Sequence, residues 1–288
     1  MESFGWLNGA MDIALPLQQH PLYLDAVAAI GGDAARIEVP GAAPVGLVRR
    51  RIGPLGTVAL ASRGPVWHAC LTDRQAEALR GLRAAGLRIV TSEGGDEAAL
   101  RRAGFRQILT PAHFAEWDLT GDAAARRAAM KGKWRNRLAR AEEAGLTIRS
   151  DSWRGLPHWL LDADAAQQRD RHYRALPRVL LAAMARTRGA ARVFEARHRG
   201  AIVAGLLVLR HGPVATYQTA WTGPEGRRLN AHSLLLARAA DWLARHGHVR
   251  LDLGPVETER NPGLARFKLG TGARLRRGGG TWLAIPLL

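Results

Sequence analysis

Cysteine is nearly missing from this sequence of 288 residues. Cys70 is the only one, which excludes an intrachain disulfide and a cysteine-built zinc site. Long hydrophobic runs are missing too. Hydrophobic residues make up 47% of the chain, enough for a substantial core, yet no stretch approaches the roughly 18 uninterrupted apolar residues of a membrane helix. The opening Met1-Glu2-Ser3-Phe4-Gly5-Trp6 has no basic leader followed by an apolar run, so no secretory signal is expected. The ten histidines form no His-x-x-x-His pair aligned with acids, and no Ser-His-Asp or Cys-His spacing suggests a nucleophilic triad. No metal site is expected. The reading is a cytoplasmic protein of one large domain or two ordinary ones.

Lysine is the other scarcity. Of 42 basic residues only Lys131, Lys133 and Lys268 are lysine; the remaining 39 are arginine. Lysine is a compact point charge that changes protonation state, whereas arginine is a planar fork that stays charged. What is abundant is positive charge, on one side only. Residues 1–120 carry 12 basic and 12 acidic residues; residues 121–288 carry 30 and 13, which is the whole net charge of +17. So one-sided a field predicts a polyanionic partner: nucleic acid, a phosphorylated metabolite or an anionic membrane surface.

The second half reads as strand 146–149, helices near 155–173 and 177–188, strands 191–198, 201–210 and 214–221, helix 230–246, strand 249–253, helix 262–268, and terminal strands 273–276 and 281–285. This order resembles the GNAT acyltransferase fold, a mixed sheet whose middle strands splay apart to admit an acyl donor. The first half repeats part of the series: helix 17–30, strands 36–39, 45–52 and 57–61, helix 73–85, strand 87–90, helix 96–103, strands 107–109 and 114–119. Between the halves, 122–144 reads as a helix or a broken pair. Lys133, Arg137 and Arg140 share one face of it, and Arg127, Lys131 and Arg135 an adjacent one.

Four segments carry a further resemblance. Lys133-Trp134-Arg135-Asn136-Arg137-Leu138-Ala139-Arg140-Ala141-Glu142-Glu143-Ala144-Gly145-Leu146 resembles the Fem family's "R-x-x-I-R-K-A-E-K-x-G". Leu251-Asp252-Leu253-Gly254, with Gly263-Leu264-Ala265-Arg266-Phe267-Lys268, is similar to its "F-D-L-G … G-L-x-x-F-K". Leu15-Pro16-Leu17-Gln18-Gln19-His20-Pro21-Leu22-Tyr23 is similar to its "P-x-x-Q-S-x-x-Y" opening, and Ser62-Arg63-Gly64-Pro65-Val66 to a strand end "x-x-G-P-V". The resemblance implies an α/β fold of two tandem GNAT-like domains, 1–120 and 121–288. It also implies an enzyme that moves an aminoacyl group from aminoacyl-tRNA to an amine on a peptidoglycan precursor, with no bound cofactor. The coiled-coil arm of some Fem enzymes has no counterpart here, since no heptad run exists, so tRNA would be held by surface charge.

Candidate roles follow. Lys268 is the catalytic cation, near the donor's terminal phosphate or its carbonyl oxygen. Asp252 orients or deprotonates the amine, or serves as a structural hydrogen-bond group. Glu257 and Glu259 are weaker alternatives for that carboxylate. Lys131, Lys133, Arg135, Arg137, Arg227 and Arg228 are donor-binding candidates; Phe267 stacks on a base or packs into the core. Tyr217 and Gln218 point to opposite faces of a strand, one of them into the cleft. By analogy, Arg171 and Tyr173 contact the acceptor. A GNAT glycine loop would cradle a pyrophosphate just before helix 230–246, but Pro224-Glu225-Gly226-Arg227-Arg228-Leu229-Asn230-Ala231-His232 retains only Gly226. That disfavours acetyl-CoA, which remains the alternative donor. A catalytically inert nucleic-acid-binding module is the alternative of a different class. Gly278-Gly279-Gly280 reads as a terminal hairpin turn.

Overall fold

The structure is a computed structural model that describes residues 14–53, 56–68 and 71–284. The readings made for Met1–Trp6, Cys70 and Ile285 lie outside the described residues. The first described elements are a 3-10 turn (Leu17–Gln19) and α1 (Pro21–Ala29), where a single helix 17–30 is expected from the sequence. Pro21 is the reason: it lacks an N–H and suits a first helical turn, so the helix restarts there. His20 Nδ1 caps it by accepting from the Leu22 N–H at 3.1 Å.

The first half continues with β1 (Asp33–Ile37), β2 (Val45–Arg51), β3 (Thr57–Ser62), α2 (Thr72–Ala84), β4 (Leu87–Ser92), α3 (Glu97–Arg102) and β5 (Phe105–Leu109). Then come β6 (His113–Asp118), α4 (Ala123–Ala129), α5 (Gly132–Glu142), β7 (Thr147–Ser152), α6 (Trp159–Arg171), α7 (Arg178–Ala185), β8 (Ala191–His198), β9 (Ala201–His211) and β10 (Val214–Thr222). The last described elements are α8 (Pro224–Arg228), α9 (Ala231–Arg245), β11 (Arg250–Pro255), α10 (Pro262–Gly270), β12 (Arg274–Arg277) and β13 (Gly280–Ala284). The segment 122–144 is therefore a broken pair, interrupted where Met130 and Lys131 are extended.

Among the described residues two mixed sheets result, in the orders β1-β2-β3-β4-β13-β5 and β12-β6-β11-β10-β9-β8-β7. Apart from β7, these are one plan used twice: antiparallel strands, a parallel neighbour reached through a helix, then two antiparallel strands. The strand beside each parallel neighbour comes from the other half. β6, expected to end the first half, lies between β11 and β12; β13, expected to end the second, lies between β4 and β5. The sheets exchange a strand across the charge boundary at 120/121. Gly278-Gly279-Gly280 is accordingly no hairpin turn but the crossing between sheets. A Cβ on Gly279 would lie 2.2 Å from Ser92 Oγ, so only glycine passes there. Trp282 anchors the crossing strand in the first core, fully buried, with its indole N–H donating to Gly279 O at 2.8 Å.

The halves also share a core. Leu17, Leu22 and Val27 pack with Leu160, Leu181 and Met184 of α6 and α7 and with Leu207 and Leu209 of β9. The parallel pairs differ in a way that places the site. In the first sheet β3 and β4 stay paired to Ser62↔Thr91, the last residue of β3. In the second, β10 and β11 pair only at Val214↔Arg250, Ala215↔Leu251 and Thr216↔Asp252. Beyond them β10 carries a bulge between Tyr217 and Thr219, and the pairing of β11 with β6 shifts between Asp252 and Pro255. The opening in the second sheet starts there. Among the described residues no helix is long and apolar enough to cross a membrane.

Candidate active site

Asp252 is the last residue of β11 paired to β10, and it is 1% exposed. Its Oδ2 accepts from Arg63 Nη1 at 2.5 Å and its Oδ1 from the Gly254 N–H at 2.8 Å. Burial alone would push this carboxyl up, but the Arg63 guanidinium, the Gly254 amide and Arg250 hold it below its ordinary value. A carboxylate held ionised in this way is a poor proton acceptor, which argues for the structural and orienting roles of Asp252 over deprotonation.

Arg63 comes from the other half, one residue past β3. Its Nε donates to Glu93 Oε1 at 2.7 Å, and its guanidinium lies 4.3 Å over the Phe114 ring. Burial would lower its pKa, but Asp252 and Glu93 raise it above the usual arginine range. Arg276 extends the network, reaching Glu93 at 2.6 Å and Glu116 at 2.7 Å. Sequence reasoning singled out the segment containing Arg63 as a motif but gave the arginine no role. Its partner lies 189 residues away, so no local pattern signals the pair.

Lys268 sits on α10, 6% exposed, with Nζ donating to Pro255 O at 2.8 Å. Burial pushes its pKa down to about 8, against the pull of Asp252 and Glu257. An ammonium has three donors, and Nζ makes no other hydrogen bond among the described residues. Lys268 therefore brings spare donors to the end of β11. Glu257 and Glu259 lie in the exposed loop before α10.

The structure brings the two lysine-bearing segments together. The Lys131 N–H donates to Gly270 O at 3.0 Å, joining the start of α5 to the end of α10. Trp134 of α5 packs against Phe267 at 5.9 Å between ring centroids, and a Cβ on Gly270 would lie 2.6 Å from the Trp134 ring. Phe267 is half-buried in the core of the second half, with His232 of α9 at 5.5 Å. His232 Nε2 and the Tyr217 hydroxyl are 3.0 Å apart. Burial lowers His232 to about 4 and raises Tyr217 above its ordinary range, so both are neutral at pH 7. His232 Nδ1 and Trp134 Nε1 are buried without a hydrogen-bond partner. The Tyr217–His232 pair was missed in the sequence, where His232 counted only as a bulky residue in a glycine position.

Lys131, at the N-cap of α5, and Lys133, Arg135 and Arg137 on the helix are exposed. Arg135 donates to Ala128 O at 2.9 Å; the side chains of the other three have no partner among the described residues. Arg227 and Arg228 stand apart from this row, on α8. That short helix occupies the place of a phosphate loop, and its Gly226 is a packing glycine, since a Cβ there would lie 2.2 Å from Val203 O. Arg228 is engaged with Glu225 at 2.8 and 2.7 Å, while Arg227 is exposed without a partner among the described residues.

Gln218 is half-buried inside the β10 bulge, opposite no residue of β9, so the strict alternation expected of Tyr217 and Gln218 is broken. Tyr173 donates to the buried Asp164 at 2.7 Å and accepts from Gln167, which also reaches Ala220 O of β10 at 3.4 Å. Burial, then Asp164, push Tyr173 up to about 12. Arg171 is exposed at the end of α6. Among the described residues no group of three His, Cys, Asp or Glu could hold a metal ion.

Comparison with known proteins gives the site a setting. Residues 122–269 match the model of the family described as acetyltransferase (GNAT) domain. The fold is similar to that of FemX: TM-score 0.78 at 12% identity, over 94% of this chain and 92% of that one. It is also similar to the C-terminal domain (DUF2156) of an Agrobacterium fabrum protein assigned as a lysylphosphatidylglycerol synthetase (TM-score 0.59, 16% identity, 93% and 89% covered). L-PGS from Bacillus licheniformis gives TM-score 0.55 at 15% identity, with 92% and 91% covered. No curated protein sequence matches the chain.

Proposed function

The chain belongs to the acetyltransferase (GNAT) domain family, and on that premise we propose that this tandem-GNAT acyltransferase takes an aminoacyl group from aminoacyl-tRNA and passes it to an amine. One observation carries the reading. The exposed basic row of α5 and the buried Lys268 of α10 meet, through Trp134 and Phe267, at the end of β11 where its pairing with β10 has stopped. A polyanion held on α5 has its reactive end within reach of a buried ammonium with spare donors.

In the reaction the acceptor amine attacks the ester carbonyl; the C–N bond forms, the C–O bond breaks, and the proton leaving nitrogen ends on the departing ribose oxygen. Lys268 stabilises the oxyanion. Asp252, fixed by Arg63 and the Gly254 amide, positions the end of β11. Tyr217 and His232, neutral and hydrogen-bonded to each other, offer polar groups for orienting the amine without placing a charge beside it. The Fem resemblance makes a cell-wall peptide precursor the proposed acceptor and the cytoplasm the proposed compartment.

A screen of donors tests this directly: transfer to a panel of amines from aminoacyl-tRNA is expected, with acetyl-CoA inactive. The family description favours acetyl-CoA as the second reading, and α8 in place of a glycine loop speaks against it. Tight coenzyme A binding with indifference to charged tRNA would reverse the order, and RNA binding with no transfer from either donor would leave an inert binding module. Lys131→Gln with Lys133→Gln should flatten the log–log salt dependence of tRNA binding by roughly 1.4–1.8, at about 0.7–0.9 per phosphate contact. An unchanged slope would remove both lysines from the donor interface.

A further inference from the structure

The far end of α5 borders a groove of about 390 Å³ that the reaction above does not use. Its floor is apolar, made by Leu146, Ile148, Phe194 and Leu234. Its rim is arginine: Arg149 on β7, and Arg238 and Arg245 on α9. The last two are seven residues apart, two helical turns, and so stand on one face about 10 Å from each other. All three are exposed, and none of their side chains forms an ion pair or hydrogen bond among the described residues. Glu142, the acid in the lining, is held by Arg127 through bonds of 2.7 and 2.8 Å, and Arg238 acts on it through space without an ion pair. Trp242 forms a wall whose ring is already occupied, with His246 stacked at 3.7 Å and Arg192 over it at 4.1 Å. The free apolar surface is the floor, three aliphatic side chains beside the buried Phe194.

Unpaired like charges around a concave apolar floor suit a ligand that is regularly anionic and has flat apolar faces. Polynucleotide answers both requirements. A free phosphate or an acidic peptide leaves the floor unused, and the plane of an anionic membrane does not enter a groove. The groove also continues the α5 row. Lys133, Arg137 and Arg140 lead from the α10 end of the helix toward it, and the eleven residues of α5 cover about 16 Å, the reach of a few nucleotides. Resting on the aminoacyl-tRNA reading above, we propose that this groove seats an unpaired stretch of the donor RNA, which then follows the basic row of α5 to the open end of β10 and β11.

The test is the triple variant Arg149→Gln, Arg238→Gln, Arg245→Gln, with binding of uncharged bulk tRNA and of a short single-stranded RNA measured against salt. The three side chains are exposed and form no hydrogen bond or ion pair among the described residues, so an unchanged melting temperature is expected and controls for folding. The log–log salt slope should fall by about 2, at roughly 0.7 per single-strand contact, and affinity for the short RNA should fall with it. In transfer assays KM for aminoacyl-tRNA should rise while turnover at saturating donor stays constant. An unchanged slope, or a wild type that ignores the short RNA, overturns the proposal. So does a variant that loses phosphatidylglycerol vesicles while keeping RNA, which would make a membrane the partner. A wild type without any salt-dependent tRNA binding refutes the donor reading itself; one that transfers normally, beside a variant whose RNA binding is intact, refutes only the groove.

Discussion

Arg63→Leu should destabilise the protein by about 3–5 kcal/mol, because it leaves the buried Asp252 carboxylate without its hydrogen-bonded cation. Asp252 is 1% exposed, and Arg63 supplies one of its two hydrogen bonds and its nearest opposite charge. Glu93 would retain Arg276, but Asp252 would keep the Gly254 amide and, as cations, Arg250 and the Lys268 ammonium, neither of them hydrogen-bonded to it. Asp252→Asn is expected to cost less, since Arg63 keeps Glu93 and the Phe114 ring. Replacing both partners by apolar residues of similar size should cost less than the sum of the single changes, as buried ion pairs generally allow. Urea denaturation of the two single variants and the double reads this out. A loss under about 1 kcal/mol for Arg63→Leu would mean that water already screens the pair. The pH dependence has a definite sign. The folded pKa of Asp252 lies below its ordinary 3.8, so its contribution is present above that value and is lost as pH falls through the folded pKa. Acid should loosen the wild type in that window, and Asp252→Asn should be less sensitive there.

The same pair shows where the sequence stops being informative. Helix α9 was legible because Leu234, Leu235, Ala239 and Leu243 recur at helical spacing and are all buried. Helices α5 and α10 were legible as motifs, and so was the presence of Lys268 among candidate site residues. What patterning lacks is partnership. Alternation along β6 and β13 says which side chains face inward, and Ala115, Trp117 and Trp282 are indeed buried, but either strand completes either sheet with the same alternation. The exchange of β6 and β13 therefore left no trace in the pattern. Nor did the Arg63–Asp252 bond, formed between residues that share no element. Helix α8 is five residues long, too short for periodicity to show, and the packing of Gly226 on Val203 that explains it is a tertiary contact. The candidate site was proposed from residue types, and the contacts among them were not readable in the sequence.

Lys268→Met is expected to lower single-turnover aminoacyl transfer about 10²-fold or more, the scale of removing one preorganised transition-state donor, without lowering stability. The two halves of this expectation have one origin. Burial holds the Lys268 ammonium at a pKa of about 8 against an ordinary 10.5, so the folded state carries its charge at a cost. Between those values the unfolded chain binds more protons than the folded one, and stability rises with pH across that window. Methionine removes the cost and forfeits one hydrogen bond to Pro255 O, so the melting temperature should hold or rise while transfer collapses. A residue serving only the fold would do the reverse. Lys268→Arg should not restore the rate, because a planar guanidinium does not fit the place of a compact, buried amine. The rate profile then distinguishes the working form. If the cation stabilises the oxyanion, transfer above the hydrolysis blank falls as pH passes 8; if the neutral amine takes the proton from the acceptor, transfer rises there and the oxyanion role assigned to Lys268 is wrong.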